Sequence, residues 1–330
     1  MSETDQTQRA ETYSIGVVRM AAFFCFAGWG WVHYYWEGPY GVLLWDENLY
    51  QLAERLGVSW DTFVGTGAND GVVQTIMGQI FWLYLGAAVL TLTVRRGAWI
   101  QMVLLLLGSG LLAVVAYAKY LGAECQLPML LEFGGQVLSP TLLVLALALG
   151  AKHRITVIVA VIAVIMTFAG HGAYAIGWWP TPGVFYGMIS KILSVEYETA
   201  VQILLVAGTL DFVVCFALLV PLCRRPAALY AALWGLLTAL ARPIAGMDST
   251  LHYWGADQFV HEAVLRGPHY LIPLYLFLIW RRPRKSDEQA TQPVGVPDPS
   301  EPRPAAPRGT IKADVGEANR LSIAKPSALH

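Results

Sequence analysis

Phe26-Ala27-Gly28-Trp29-Gly30 in the first half of the chain returns as Phe168-Ala169-Gly170-His171-Gly172 in the second. Outward from that pair, three further stretches recur in the same order. Leu56-Gly57-Val58-Ser59-Trp60-Asp61-Thr62-Phe63-Val64 returns as Leu193-Ser194-Val195-Glu196-Tyr197-Glu198-Thr199-Ala200-Val201. Arg95-Arg96 returns as Arg224-Arg225, and Gly135-Gln136-Val137-Leu138-Ser139-Pro140 returns as Pro268-His269-Tyr270-Leu271-Ile272-Pro273. The offset changes only slightly from one match to the next. An ordered recurrence of this length in an apolar chain predicts two copies of one helical bundle, with any site between or within the copies.

Apolar residues make up 56% of the 330 residues and charged residues only 14%. Soluble domains carry about 25% charged residues, so this is the composition of a membrane protein, and the lipid bilayer is its first partner. A net charge of −1, with no basic stripe away from the membrane flanks, excludes nucleic acid as a partner. The four cysteines, Cys25, Cys125, Cys215 and Cys223, form no CxxC pair and no zinc-finger spacing. No metal is therefore expected.

Crossing a hydrocarbon core of roughly 30 Å takes about 20 apolar residues. By that measure helices are predicted near 15–36, 72–94, 98–121, 126–150, 154–178, 199–223, 226–244 and 262–281. The first run ends in Trp31, Tyr34, Tyr35 and Trp36, an interfacial aromatic belt rather than a cleavage site, so it reads as a retained helix. Arg95-Arg96, Lys152 with Arg154, Arg224-Arg225, and Arg281-Arg282 with Arg284-Lys285 follow the second, fourth, sixth and eighth helices. The positive-inside rule puts all four clusters and both termini in the cytoplasm.

The predicted fold is all-α: eight transmembrane helices as two parallel four-helix repeats, with short interfacial helices outside. Residues 1–14 form a cytoplasmic segment, 15–150 the first repeat, 151–281 the second and 282–330 a cytoplasmic tail. The tail is rich in Pro, Ala, Ser and charge and nearly free of aromatics, so it reads as disordered. The outside stretches 41–64 and 183–198 mix Leu, Trp, Tyr and Phe with Asp, Glu and Lys, which suits short amphipathic helices in the interface.

The first helix carries an early Arg and a Gly-rich outer end (Arg19, Gly28, Gly30, His33) and leads into a Pro-containing loop. A Gly-x-x-acid opening of the next helix follows, best seen as Gly208-Thr209-Leu210-Asp211, then basic residues, then a small-residue-rich helix. This pattern resembles the four-helix module of the DoxX-like bacterial membrane proteins over most of residues 15–281. The first half differs in having Gly78-Gln79-Ile80-Phe81, without the acid, and Arg19 aligns with Val161. The resemblance implies the inner membrane of a bacterium. The family includes a subunit associated with thiosulfate:quinone oxidoreduction, so it also implies a quinone and partner membrane subunits.

An ionisable group inside the bilayer costs about 2.5–3.5 kcal/mol on the insertion scale, which makes each one a candidate. They are Arg19, His33, Lys119, Glu132, His171, Asp211, Arg242, Arg266 and His269. Most fall in the outer halves of their helices and are expected to converge on one polar pocket open to the outside. Lys119, Arg242 and Arg266 can also snorkel. Asp211, midway along its helix, cannot, and it needs His171 or Arg242 as a partner. A structural tie and a ligand or proton site explain Asp211 equally well. His33 and His269 read first as structural imidazoles, whereas Glu132, beside Gly134 and Gly135, reads first as a site residue.

A bis-His haem would use His33, His171 or His269, but His171 replaces Trp29 and His269 replaces Gln136, so the repeat offers no symmetric pair. No Walker loop, HExxH, GxSxG or dinucleotide fingerprint is present, so no catalytic motif is assigned. The first functional expectation is a periplasm-facing pocket for a small or lipophilic molecule, such as a quinone, in a subunit of a membrane oxidoreductase. The second is a proton- or anion-coupled transporter, and the third a membrane scaffold. Against the second stands the lack of recognisable broken half-helices at matching positions.

Overall fold

The computed structural model describes residues 3–66 and 68–281. The tail predicted to be disordered, 282–330, lies outside the described residues. Helices in chain order are α1 (Glu3–Trp36), α2 (Gly41–Leu44), α3 (Glu47–Arg55), α4 (Trp60–Val64), α5 (Val72–Thr93), α6 (Trp99–Gly122) and α7 (Leu127–Glu132). They continue with α8 (Gly134–Ala148), α9 (Arg154–Ala175), α10 (Gly183–Leu193), α11 (Tyr197–Leu219) and α12 (Arg224–Gly246). A 3₁₀ turn (His252–Gly255), α13 (Ala256–Val264) and α14 (Gly267–Ile279) complete them.

Among the described residues, seven helices are long and apolar enough to cross a membrane: Glu11–Trp36 of α1, α5, α6, Leu127–Ala148 through α7 and α8, α9, α11 and α12. The chain is therefore a multi-pass helical membrane protein. Leu107, Phe216 and Leu237 stand exposed on α6, α11 and α12, which is where lipid replaces a protein partner.

The eighth predicted crossing, 262–281, differs. It is divided between α13 and α14, and the 13 residues of Gly267–Ile279 rise only about 20 Å, short of a hydrocarbon core. Pro268 is the cause. It has no N–H to donate backwards but fits the first turn of a helix, so a new helix starts at Gly267. The His269 N–H instead closes a tighter bond to the Arg266 carbonyl, at 2.9 Å. The fourth predicted helix is likewise interrupted, at Phe133, just before Gly134.

Both long connections contain helices, as their composition predicts. In the first, Asp46 caps α3 by accepting from the N–H groups of Asn48 and Leu49, and Ser59 caps α4 by accepting from Thr62 N–H. In the second, α10 packs on α11 and α12.

Helices α1, α8, α9 and α14 make the centre of the bundle: α1 packs on α8 and α14, and α9 packs on the same two. Helices α5 and α6, α11 and α12 flank them. Burial follows this order, from 61% of the Leu127–Ala148 window down to 22% of the Val72–Thr93 window. Two glycines allow the closest approaches at the centre. A Cβ on Gly28 would stand 2.4 Å from the Leu265 backbone nitrogen, and one on Gly170 would stand 2.5 Å from that of Glu132. Only glycine fits either place.

Arg19 has a structural role. Its guanidinium donates to the carbonyls of Thr91 and Val94 (2.9 Å to the latter), which the end of α5 leaves without helical partners.

Candidate functional site

Five of the predicted residues, Glu132, His171, His269, Arg242 and Arg266, meet. Glu132 ends α7, immediately before the interruption at Phe133, and its carboxylate lies 3.4 Å from Nδ1 of His171 on α9. His171 in turn faces His269, three residues into α14, with ring centroids 5.4 Å apart. Nδ1 of His269 is buried and has no hydrogen-bond partner. Arg242, near the end of α12, stands close enough to act electrostatically on Glu132 and His171. Helices α7, α9, α12 and α14 thus supply one polar cluster, seated where α7 meets α8 and where α13 meets α14.

Sequence reasoning missed the group that ties this cluster together, Glu262 on α13. Its carboxylate accepts from Nη1 of Arg266 and lies 3.8 Å from Nε of Arg242, while Arg266 also donates to the Glu262 backbone carbonyl at 2.7 Å. The signal was available: Glu262 and Arg266 are four residues apart, one helical turn, with the acid first. Phe185 on α10 was also missed. Its ring lies 6.0 Å from the Arg242 guanidinium carbon and 6.3 Å from the His171 ring, so it closes over both.

Exposure is graded across the cluster. Glu262 is 32% exposed, His171 24%, Arg242 17% and Glu132 13%, while His269 is 5% exposed at the floor. The cluster therefore opens at Glu262 and closes at His269. Two surface cavities, of about 440 and 410 Å³, lie elsewhere, the first lined by Asp61, Asn69 and Asp70 and the second by Glu11, Arg96 and Gly150.

The other predicted residues do not join it. Lys119 is exposed at the end of α6 and reaches Glu132 only as a neighbouring charge. Asp211 is buried, 4% exposed, as its place in the helix required, but neither His171 nor Arg242 is its partner. The Trp234 indole lies beside its carboxyl group, and Oδ1 has no hydrogen-bond partner. Helical phase explains the difference. Gly172 is the residue of α9 that faces Asp211. His171, one residue back, points about 100° away, toward α7 and α14. Arg242 lies two turns beyond Trp234 on α12, about 12 Å along the axis.

His33 belongs to a separate, sealed network. Nδ1 lies 2.6 Å from the Trp29 carbonyl, which can only accept, so Nδ1 carries the proton and Nε2 accepts from the Tyr40 hydroxyl at 3.0 Å. The Tyr40 and Tyr84 hydroxyls are 3.3 Å apart, and the His33 and Tyr84 rings stack at 4.5 Å. All three side chains are buried, which ties the loop after α1 to α5 and leaves no entrance for a ligand. Beside it, Trp29 Nε1 donates to the Gln136 side-chain carbonyl at 2.7 Å.

Among the described residues no three His, Cys, Asp or Glu side chains are grouped to hold a metal ion. His171 and His269 lie in ring contact, whereas a haem ligand pair faces across a macrocycle. No family model matches the chain, and neither a curated protein nor a solved structure matches it.

Proposed function

We propose that this chain is a bacterial inner-membrane carrier that takes a small molecule into a pocket formed by Glu132, His171, His269, Arg242, Glu262 and Arg266. Protons would move along the carboxylate and the two imidazoles. The observation that carries this reading is the convergence of these groups on two helix interruptions, at Phe133 and at Leu265–Arg266. Interrupted helices at corresponding places are where carriers build substrate sites, and intramembrane chains of Glu and His serve as proton relays. Recognising the interruptions shifts the balance from an oxidoreductase subunit to a carrier.

The reading includes two tandem four-helix copies, with α13 and α14 together making the eighth crossing and both termini inside. Paired contacts support the repeat. The recurrence of 26–30 as 168–172 and of 135–140 as 268–273 pairs Gly28 with Gly170, Trp29 with His171, and Gln136 with His269. Trp29 touches Gln136 as His171 touches His269, and Gly28 meets Leu265 as Gly170 meets Glu132. Gly135 lies against its own counterpart, Pro268. Such reciprocity is what a two-fold relation produces. The buried positions of α5 at 73, 77, 84, 88 and 91 also find buried counterparts on α11 at 200, 204, 211, 215 and 218, a constant offset. A four-helix unit of this kind agrees with the resemblance to the DoxX-like proteins.

Purified protein reconstituted into liposomes containing a pH-sensitive dye tests the function. Addition of a small organic acid is expected to change the internal pH in wild type, with the change lost in Glu132→Gln and His171→Asn. A quinone co-purifying with the protein, together with an absence of solute-driven proton movement, would instead support an oxidoreductase subunit.

A further inference from the structure

We infer that the molecule bound in this pocket is a carboxylate with an apolar body, held by the free end of Arg242. The inference rests on the proposal that the cluster is a ligand site. The two arginines are not equivalent. Arg266 engages Glu262 twice, through its carboxylate and its backbone carbonyl. Arg242 reaches the same carboxylate only through Nε, at 3.8 Å, too long for a hydrogen bond. Its two terminal amino groups have no acceptor among the described residues, although the side chain is only 17% exposed. A guanidinium at the mouth of a largely buried cluster offers its planar pair of N–H groups to an incoming acceptor, and that pair matches the two oxygens of a carboxylate.

Two further features describe the rest of the ligand. Nδ1 of His269, buried on the floor and without a partner, offers one more polar contact or a proton. The Phe185 ring, over both Arg242 and His171, supplies an aromatic wall on the side of α10, with Tyr174 packed edge-on against it. An apolar or aromatic group attached to the carboxylate would lie against that wall. Glu262 is engaged by Arg266 and Glu132 faces His171, so Arg242 is the charge without a close partner, and a cation or a neutral polar molecule would leave it unmatched.

Thermal unfolding of the detergent-purified full chain, titrated with benzoate, benzamide and benzylamine, tests the inference, since the three probes share one body and differ in charge. Benzoate is expected to raise the melting temperature with concentration, and the other two are not. Arg242→Gln is expected to weaken benzoate by about ten- to a hundredfold, the contribution of a charge-assisted pair. Arg242→Lys, which keeps the charge but loses the planar fork, should fall between and serves as the arm that retains a cation if Arg242→Gln does not fold. Repeating the titration in phosphatidylcholine nanodiscs with added phosphatidylglycerol separates a free acid from an anionic headgroup. If phosphatidylglycerol itself stabilises the protein through Arg242 and abolishes the benzoate response, the free carboxylate is overturned. Equal responses to benzoate and benzamide that ignore Arg242 would overturn the carboxylate and leave the pocket standing. No response to any probe, with proton movement also absent from liposomes, would overturn both.

Discussion

Gly170→Ala is the sharpest test of the central packing. The added methyl would stand 2.5 Å from the Glu132 nitrogen, 2.7 Å from the Pro128 carbonyl oxygen and 3.0 Å from the Glu132 Cα. Comfortable contact between heavy atoms is about 3.5–4.0 Å, so α9 must retreat from α7 by about 1 Å, and no side-chain rotation can relieve the clash. Overpacking of this kind costs about 1–3 kcal/mol, and more where backbone is the obstacle. The helix propensity gained in replacing glycine by alanine returns only about 1 kcal/mol. A net loss of about 1–2 kcal/mol is expected. Gly110→Ala on α6 is the control, because nothing lies within 4 Å of its added methyl. Thermal unfolding in detergent should show Gly170→Ala melting below wild type and Gly110→Ala at or above it. Gly28→Ala, facing the Leu265 backbone at 2.4 Å, should lose as much as Gly170→Ala while sparing the Glu132–His171 contact. If Gly170→Ala melts at or above wild type, the close approach of α9 to α7 is wrong, and so is the geometry that brings Glu132 to His171.

Asp211→Asn and Asp211→Leu should both fold, and Asp211→Leu should not melt below Asp211→Asn in detergent, because no cation among the described residues pairs with this acid; a collapse confined to the leucine variant would restore a charged partner. Arg19→Met removes the donor to the Thr91 and Val94 carbonyls and should cost about 2–3 kcal/mol in the same assay, whereas an unchanged melt would show that water satisfies the end of α5. Single cysteines at Trp45, Ser190 and Ser249 should react with an impermeant maleimide in intact cells and one at Gly97 should not; labelling at Gly97 alone would invert the orientation.

The crossings were legible because an apolar run of a given length has few alternatives in a bilayer, and α5, α6, α9, α11 and α12 begin and end within a few residues of the predicted bounds. The division of 262–281 was legible in principle from Arg266-Gly267-Pro268, but the apolar average across the run concealed it. The site was harder. The ionisable residues stood out one by one, yet their pairing depends on helical phase, and neither half of that phase is visible in the sequence without the other. Asp211, midway along its helix, was matched with His171 or Arg242 because a carboxylate that cannot reach the interface needs a partner, although Gly172 is the residue that α9 turns toward it. Conversely, the replacement of Trp29 and Gln136 by His171 and His269 was read as breaking a symmetric pair. Trp29 and Gln136 touch each other, and so do His171 and His269.

Helix α1 packs on α13 and α14, the last helices described, and Gly28 meets Leu265 across roughly 240 residues of chain. At synthesis rates of about 5–20 residues per second, the ribosome needs about 10–50 s to deliver that partner. During this time the Gly28 face of α1 is already in the membrane without the Leu265 backbone that covers it. Arg19 is served much sooner, since the end of α5 follows it by about 70 residues. Biogenesis is thus staggered: α1 meets α5 early, through Arg19 and through His33, while its Gly28 face waits for the chain to be nearly complete. A nascent chain stalled before residue 256 should therefore be held by the insertion machinery or removed by membrane proteases.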